Sequence, residues 1–269
     1  MEQIQVVERV AAVLAALAAG DETGRRMTDI ATETGLQSST AHRILNTLER
    51  IGYVERDEAS SRYYLGYRLF SLGMSATRRF GLTELAEESM SRLAELTGDT
   101  VFLSVRTGLS AMCVDRVVGS YPIKTLTLSV GDLRPLGVGA GSLALLAWLP
   151  DDEVARVVEA NADEAAKRGD FSREILLELV ATSRDAGYTF NASRILPGMC
   201  AVGVPVLGRK SRPVAALSVA AVEARMQADR RTQIASWLRV EAAALEQRLG
   251  GPQDGLTEAA VRHLLDRQG

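Results

Sequence analysis

Histidine, cysteine and lysine are all scarce in this chain, and each scarcity removes a class of function. Only two of the 269 residues are histidines, His42 and His263. Between residues 43 and 262 there is no imidazole to build a catalytic triad or a metal site. Cys113 and Cys200 are too few and too far apart for a zinc cluster or a disulfide framework, and free thiols fit a reducing cytoplasm. With no histidine near it in sequence, Cys200 reads as a small buried residue, not a nucleophile. Lysine stands only at Lys124, Lys167 and Lys210, so arginine carries nearly all the positive charge. The net charge of −3 excludes a basic coat, and any nucleic-acid contact must be a local patch. No apolar run approaches the length of a membrane span. The Ala-rich stretch 10–19 follows Glu2 and Glu8 where a leader segment would carry basic residues. Helical spacing of Val10, Val13, Leu14 and Leu17 explains it.

Arginines and hydroxyls are concentrated at residues 36–64, LQSSTAHRILNTLERIGYVERDEASSRYY. Ala41, Ile44, Leu45, Leu48 and Ile51 recur at three- and four-residue spacing and predict a helix with one buried stripe. Ser39, Thr40, Arg43, Asn46, Thr47 and Arg50 fall on the opposite side, with no carboxylate before Glu49. Such groups suit phosphates and base edges, which carboxylates would repel. Gly52 is placed to close the helix. Upstream, 27–34 is a second short helical pattern ended by Gly35, which makes a helix-turn-helix. Downstream, 53–56 and 62–65 read as strands joined by the turn DEASS, a wing. From 36 to 79 there are seven arginines against four acids, the first basic excess in an acidic chain. Two local questions stay open. Ser38, Ser39 and Thr40 serve either as a helix cap or as DNA ligands, and His42 either donates to DNA or packs at the edge of the buried stripe.

At 269 residues the chain suits two domains. Residues 4–19 predict the helix behind the helix-turn-helix. Residues 70–80 form a helical connector whose Arg78 and Arg79 either approach the DNA backbone or face water. An amphipathic helix follows at 82–97. Period-two alternation then begins with Val101, Leu103 and Val105, and strands are expected at 100–106, 111–118 and 123–130. Helices are expected at 142–148, 151–160 and 172–186, strands at 188–190, 200–207 and 214–221, and a long helix at 229–249. Strands first and last with helices between imply an α+β layer fold on an antiparallel sheet. Residues 256–267 form either one more helix or part of a tail without fixed structure. The boundaries that follow are 1–66 for the winged helix-turn-helix, 67–81 for a linker helix, 82–250 for the larger domain and 251–269 for the tail. An enzyme is not expected. The run Gly137-x-Gly139-x-x-Ser142 lacks the third glycine of a dinucleotide loop, and Asp151-Asp152 sits at a helix start, where acids are usual.

STAHRILNTLERIGYVERD resembles the recognition helix and wing of IclR-family transcriptional regulators. VGDLRPLGVGAGSLALLAWLP and LPGMCAVGVPVLGRKSRPVAALSVA resemble the two signatures of their effector domain. The likeness covers residues 3–249. It implies a GAF-like effector-binding fold for the larger domain, a homodimer or homotetramer, a palindromic double-stranded DNA operator and a small-molecule effector. Positions matching effector contacts are Ile123, Leu126, Ala140, Gly141, Asn191, Met199, Ala201, Ser218 and Ala220. Cys200, one place before the position where a pocket cysteine is frequent, is counted with them. Gly137 replaces a frequent histidine, Leu143 a common lysine, Asn191 a frequent acid and Ala201 that cysteine, so the pocket loses polar anchors. Physical reasoning points to the same place. Gly139-Ala140-Gly141-Ser142 lets backbone N–H groups approach a ligand at a helix start, where partial positive charge favours an anion. Ser218 and Asn191 are suited to complete the anchors of an apolar pocket.

The expected function is therefore a cytoplasmic repressor of the IclR type without cofactor, metal or membrane partner, released or engaged by a small acidic or aromatic metabolite. Base edges are assigned to Thr40, Arg43 and Asn46 or Thr47, phosphates to Ser38, Ser39, Arg50 and Arg62, and His42, if it meets DNA, to a phosphate or a base edge. The alternative is a ligand-independent regulator whose second domain only oligomerises.

Overall fold

The computed structural model describes residues 5–20, 23–208 and 211–250, with backbone alone within 74–80. The open questions at Arg78, Arg79, His263 and the 251–269 tail lie outside what it describes. The chain divides into two compact units between Arg78 and Arg79.

The first unit runs α1 (Gln5–Ala18), β1 (Arg25–Arg26), α2 (Met27–Thr34), α3 (Ser38–Arg50), β2 (Val54–Asp57), β3 (Arg62–Leu65) and α4 (Tyr67–Phe80). Its core joins Val13 and Leu17 to Ile30, to Ile44, Leu45 and Leu48, and to Val54 and Tyr63 of the hairpin. Burying one such side chain contributes roughly 1.5–3 kcal/mol. The α3 stripe is therefore what fixes the helix's orientation. Ile51 is the exception in that stripe, 37% exposed, because it lies past the last turn as the C-cap.

Both helices of the turn end in the same way. Gly35 (φ +66°) donates to the Thr32 carbonyl and Leu36 to that of Ala31. Gly52 (φ +76°) donates to Glu49 and Tyr53 to Leu48. The two-residue strand β1 was not expected. It pairs with β3 (Arg25↔Tyr63) and makes a three-stranded sheet, β1-β3-β2. Arg25 fastens it by donating to the Ala16 carbonyl (3.0 Å) and pairing with Glu33 (2.7 Å).

The second unit runs α5 (Leu82–Thr97), β4 (Thr100–Thr107), β5 (Ser110–Val117), β6 (Leu133–Pro135), α6 (Ala140–Ala147), α7 (Asp151–Ala166), α8 (Arg173–Ala186), β7 (Thr189–Ala192), β8 (Met199–Leu207), β9 (Pro213–Val222) and α9 (Ala228–Gly250). The sheet order is β6-β5-β4-β9-β8-β7, antiparallel at every pairing. Alternation assigns its faces. Val101, Leu103 and Val105 join Leu217, Val219, Val202 and Val204 in one core with α5 and α9. Ala216 and Ala111 face the other way, into a core with α6, α7 and α8. The sheet thus lies between two helical layers, and α6 is buried along its whole length.

The expected strand at 123–130 is absent. Its period-two pattern is genuine, but its carbonyls are taken by side chains instead of a neighbouring strand: Arg116 donates to Leu128 (2.8 Å) and Arg134 to Thr127. The place beside β5 goes to β6 instead. The segment lies over the cavity-facing side of the sheet as an irregular strap.

Candidate nucleic-acid interface and ligand cavity

α3 presents its polar face to solvent. Ser38, Ser39, His42, Arg43, Asn46, Thr47 and Arg50 are exposed and Thr40 is half-buried, while Ala41, Ile44, Leu45 and Leu48 point inward. Among the described residues, the side chains of Ser38, Ser39, His42, Arg43, Asn46 and Arg50 make no hydrogen bond or ion pair. The helix is capped at Gln37 without a side-chain bond, so the serine hydroxyls are not consumed as caps. The exposure of His42 settles it as a surface group. Thr47 donates its hydroxyl to the Arg43 carbonyl at 2.8 Å, which leaves its lone pairs free to accept. No acid occupies the first turn, where the partial positive charge of the helix favours a phosphate.

Arg62 is placed differently from the rest of its group. It is half-buried, and its Nη1 donates to the Gly24 carbonyl at 2.8 Å and reaches the Thr23 carbonyl and hydroxyl. Its first task is to hold the 23–24 turn against β3, beside Tyr64, whose hydroxyl donates to the Thr23 carbonyl. The wing tip is acidic. Asp57 accepts from the Ser60 hydroxyl (2.6 Å) and the Ala59 N–H (2.9 Å), and these bonds hold its carboxyl below the usual carboxylate range. With Glu58 exposed beside it, the tip is less suited to phosphate than the carboxylate-free first turn of α3.

In the second unit a cavity opens where the first turn of α6 meets the sheet. Gly139, Ala140 and Gly141 line it from the helix start, Asn191 from β7, Met199, Cys200 and Ala201 from β8, and Ser218 and Ala220 from β9. The sequence had singled out each of these. Ile123 and Leu126 are corrections: their side chains turn outward, 53% and 55% exposed. The strap meets the cavity through Thr125, Thr127 and Leu128 instead, and Thr125 donates to Met199 Sδ at 3.6 Å. Several further lining residues were not anticipated, among them Ser104, Arg134 and Cys113. Ser104 follows the alternation of β4, yet the pattern alone does not tell which face holds a cavity.

The polar groups fall into two sets. Ser142 is structural: its hydroxyl donates to the Pro135 carbonyl (2.9 Å) and accepts from the Gly137 N–H (3.1 Å), closing the turn before α6. Ser104, Ser218 and Asn191 are only 4%, 6% and 7% exposed, yet their side chains bond to no described residue. Asn191 Oδ1 is fully buried without a partner. A buried polar group left unpaired costs about 1–3 kcal/mol, which makes Asn191 Oδ1, with the two hydroxyls near it in the lining, suited to hydrogen-bond a molecule in the cavity. A Cβ at Gly141 would stand 3.0 Å from Ser218 Oγ and 3.4 Å from Ser104 Oγ, which is why the close approach needs glycine. The free volume, about 50 Å³, suits a compact molecule. Burial pushes the Cys113 thiol up from 9.0 to about 11, which makes it a poor nucleophile. Among the described residues no cluster of His, Cys, Asp or Glu is placed to hold a metal, and no helix is long and apolar enough to cross a membrane.

Known proteins resemble the chain along most of its length. Residues 6–58 match the IclR helix-turn-helix domain, and residues 74–247 match the C-terminal domain of bacterial transcriptional regulators of the IclR type. The HTH-type transcriptional regulator XynR of Escherichia coli (strain K12) is 28% identical, over 94% of this chain and 100% of its own. The glycerol operon regulatory protein of Streptomyces coelicolor is 30% identical, over 92% and 97%. Among solved structures, an IclR transcriptional regulator from Alicyclobacillus acidocaldarius superposes with a TM-score of 0.76 at 26% identity, covering 91% of this chain and 98% of that one. An IclR homologue complexed with 4-hydroxybenzoate, from Microbacterium hydrocarbonoxydans, has a TM-score of 0.71 at 24% identity, covering 90% and 97%.

Proposed function

Because the chain belongs to the IclR family of DNA-binding transcriptional regulators, a family of regulators and not of enzymes, we propose that it is a repressor whose grip on a palindromic operator is set by a small acidic or aromatic metabolite. The observation that carries the DNA half is the outer face of α3, where hydroxyls, an amide, an imidazole and two guanidinium groups stand exposed and uncommitted. Arg43, Asn46, Thr40, Thr47 and His42 read base edges, while Ser38, Ser39 and Arg50 hold phosphates. Arg62 acts on the backbone only with the nitrogens that Gly24 and Thr23 leave free.

A palindrome requires two copies of α3 about 34 Å apart, or a multiple of that, so the working form is a homodimer or homotetramer. Tyr67 and Phe70 of α4 offer a second copy an apolar surface, being 71% and 58% exposed with ring centroids 5.5 Å apart. A regulator that meets the chromosome works in the cytoplasm. The unpaired Ser104, Ser218 and Asn191 favour ligand sensing over a second domain that only oligomerises. The solved homologue bound to 4-hydroxybenzoate makes an aromatic acid a reasonable first trial.

The test is reciprocal. Operator affinity measured by fluorescence anisotropy should change about 5- to 150-fold on adding the effector, and the operator must change effector affinity by the same factor. Equal ligand binding with and without operator contradicts the sensing role. An Arg43→Ala protein with unchanged operator strength and selectivity contradicts the DNA surface.

A further inference from the structure

Among the described residues, the cavity is lined by a single charged side chain, Arg134, and by no carboxylate. Its guanidinium is half-buried, donates to the Thr127 carbonyl of the strap, and makes no ion pair with any described residue. A guanidinium has five N–H donors, so one carbonyl leaves most of them unused. Nη1 lies 3.4 Å from where a Cβ on Gly139 would stand, which sets the charge beside the N-cap of α6. Burial pushes the guanidinium below its ordinary value and outweighs the opposing pull of Asp132, while Arg168 adds to the depression. A cation held at that cost gains most from a counter-charge brought into the same space. The other side of the space holds Ser104, Ser218 and Asn191, all more than nine-tenths buried and none bonded to a described residue.

We propose that Arg134 is the specificity-determining residue of this cavity and makes it select a compact carboxylate. The carboxylate lies between the guanidinium and the first backbone N–H groups of α6, and Ser104, Ser218 and Asn191 take up its remaining polar atoms. Arg134 thereby replaces the polar anchors missing at Gly137, Leu143 and Ala201. The inference rests on the sensing role proposed above. It goes further in naming the side chain that reads the ligand's charge.

The probes are pyruvate and benzoate with their neutral counterparts pyruvamide and benzamide. Each is titrated into the full-length protein and followed by calorimetry and by melting temperature. Wild type should bind each acid at least 10-fold more tightly than its amide. R134Q should lose about 10- to 100-fold of acid affinity and little of amide affinity, so that the two converge. R134K keeps the charge without the fork and should retain part of the preference. This selectivity is a readout that a guanidinium serving only to pin Thr127 would not move. G141V, which fills the space before Ser218 Oγ, should abolish binding of every probe. Acids and amides binding wild type equally, R134Q keeping its preference, or G141V binding the acids normally would each overturn the assignment while leaving ligand sensing intact. No binding of any probe to wild type at millimolar concentration overturns the assignment. Whether sensing falls with it is then read separately, from whether any other small molecule changes operator affinity.

Discussion

Arg106 and Glu153 form an ion pair in the interior of the second unit, their side chains 6% and 5% exposed. Arg106 also donates from Nε to the Gly108 carbonyl at 2.9 Å, and Arg212 joins the same carboxylate at 3.1 Å. The carboxylate lies in the first turn of α7, where the helix dipole favours it. The pair links β4 to α7 and so ties the sheet to the helical layer that carries the cavity.

Removing one member should be far worse than the pair's net worth, because the other charge stays buried alone. Glu153→Ala is expected to cost about 3–5 kcal/mol. Arg212→Ala should cost under about 1 kcal/mol, since Arg212 is 37% exposed and water screens it. Urea melts of the two variants check this, and equal losses would mean that the interior pair is not what holds the layer.

On the DNA surface, Arg43 and Arg50 should fail in different ways. Arg43→Ala is expected to lose about 1–3 kcal/mol and to blur preference at one base pair. Arg50→Ala should weaken all sequences alike and lower the slope of log affinity against log salt by about one. Anisotropy titrations at several salt concentrations separate the two. The same slope for Arg50→Ala and wild type would remove Arg50 from the phosphate contacts.

Cys113 predicts an alkaline effect of definite sign. Its thiol titrates near 9.0 when unfolded and is pushed up to about 11 by burial when folded. Its contribution is therefore complete below pH 9 and falls as pH rises from 9 towards 11, because the unfolded chain gives up the proton first. The stability difference between wild type and Cys113→Ser should shrink across that window and stay flat below it. A difference that is flat to pH 11 would show the thiol to be less buried than found.

Two glycines offer a graded test of backbone strain. Gly35 has φ +66° and open space where a Cβ would go, so Gly35→Ala meets only the left-handed penalty, roughly 1–2 kcal/mol. Gly137 has φ +99°, and a Cβ there would lie 2.7 Å from Leu176 Cδ2, so Gly137→Ala adds a clash to the strain. Thermal melts should rank Gly137→Ala as the more damaging. The reverse order would mean that Leu176 yields freely.

Elements with one strong period were legible in the sequence. The stripe of α3, the alternation of β4 and the glycine stops at Gly35 and Gly52 all lie where residue spacing puts them. What escaped depends on contacts between distant segments. β1 is two residues that become a strand only because β3 runs alongside. Residues 123–130 have a strand's pattern, but Arg116 and Arg134 take carbonyls that a ladder would need. Ile123 and Leu126, expected as effector contacts from the family resemblance, lie on the outside of that segment. The cavity's glycines, Asn191 and Ser218 could be named from the chain. Arg134 and Ser104 could not, because sequence does not tell which face of a strand meets a helix start.

The chain's two sulfhydryls, Cys113 and Cys200, stand on different strands, yet both border the same enclosed space. Both sulfurs are buried and Cys113 is a poor nucleophile, so a mercury atom or a fluorine label should attach slowly, and a molecule filling that space should slow it further. Occupancy can be followed in the native sequence, with no reporter engineered in.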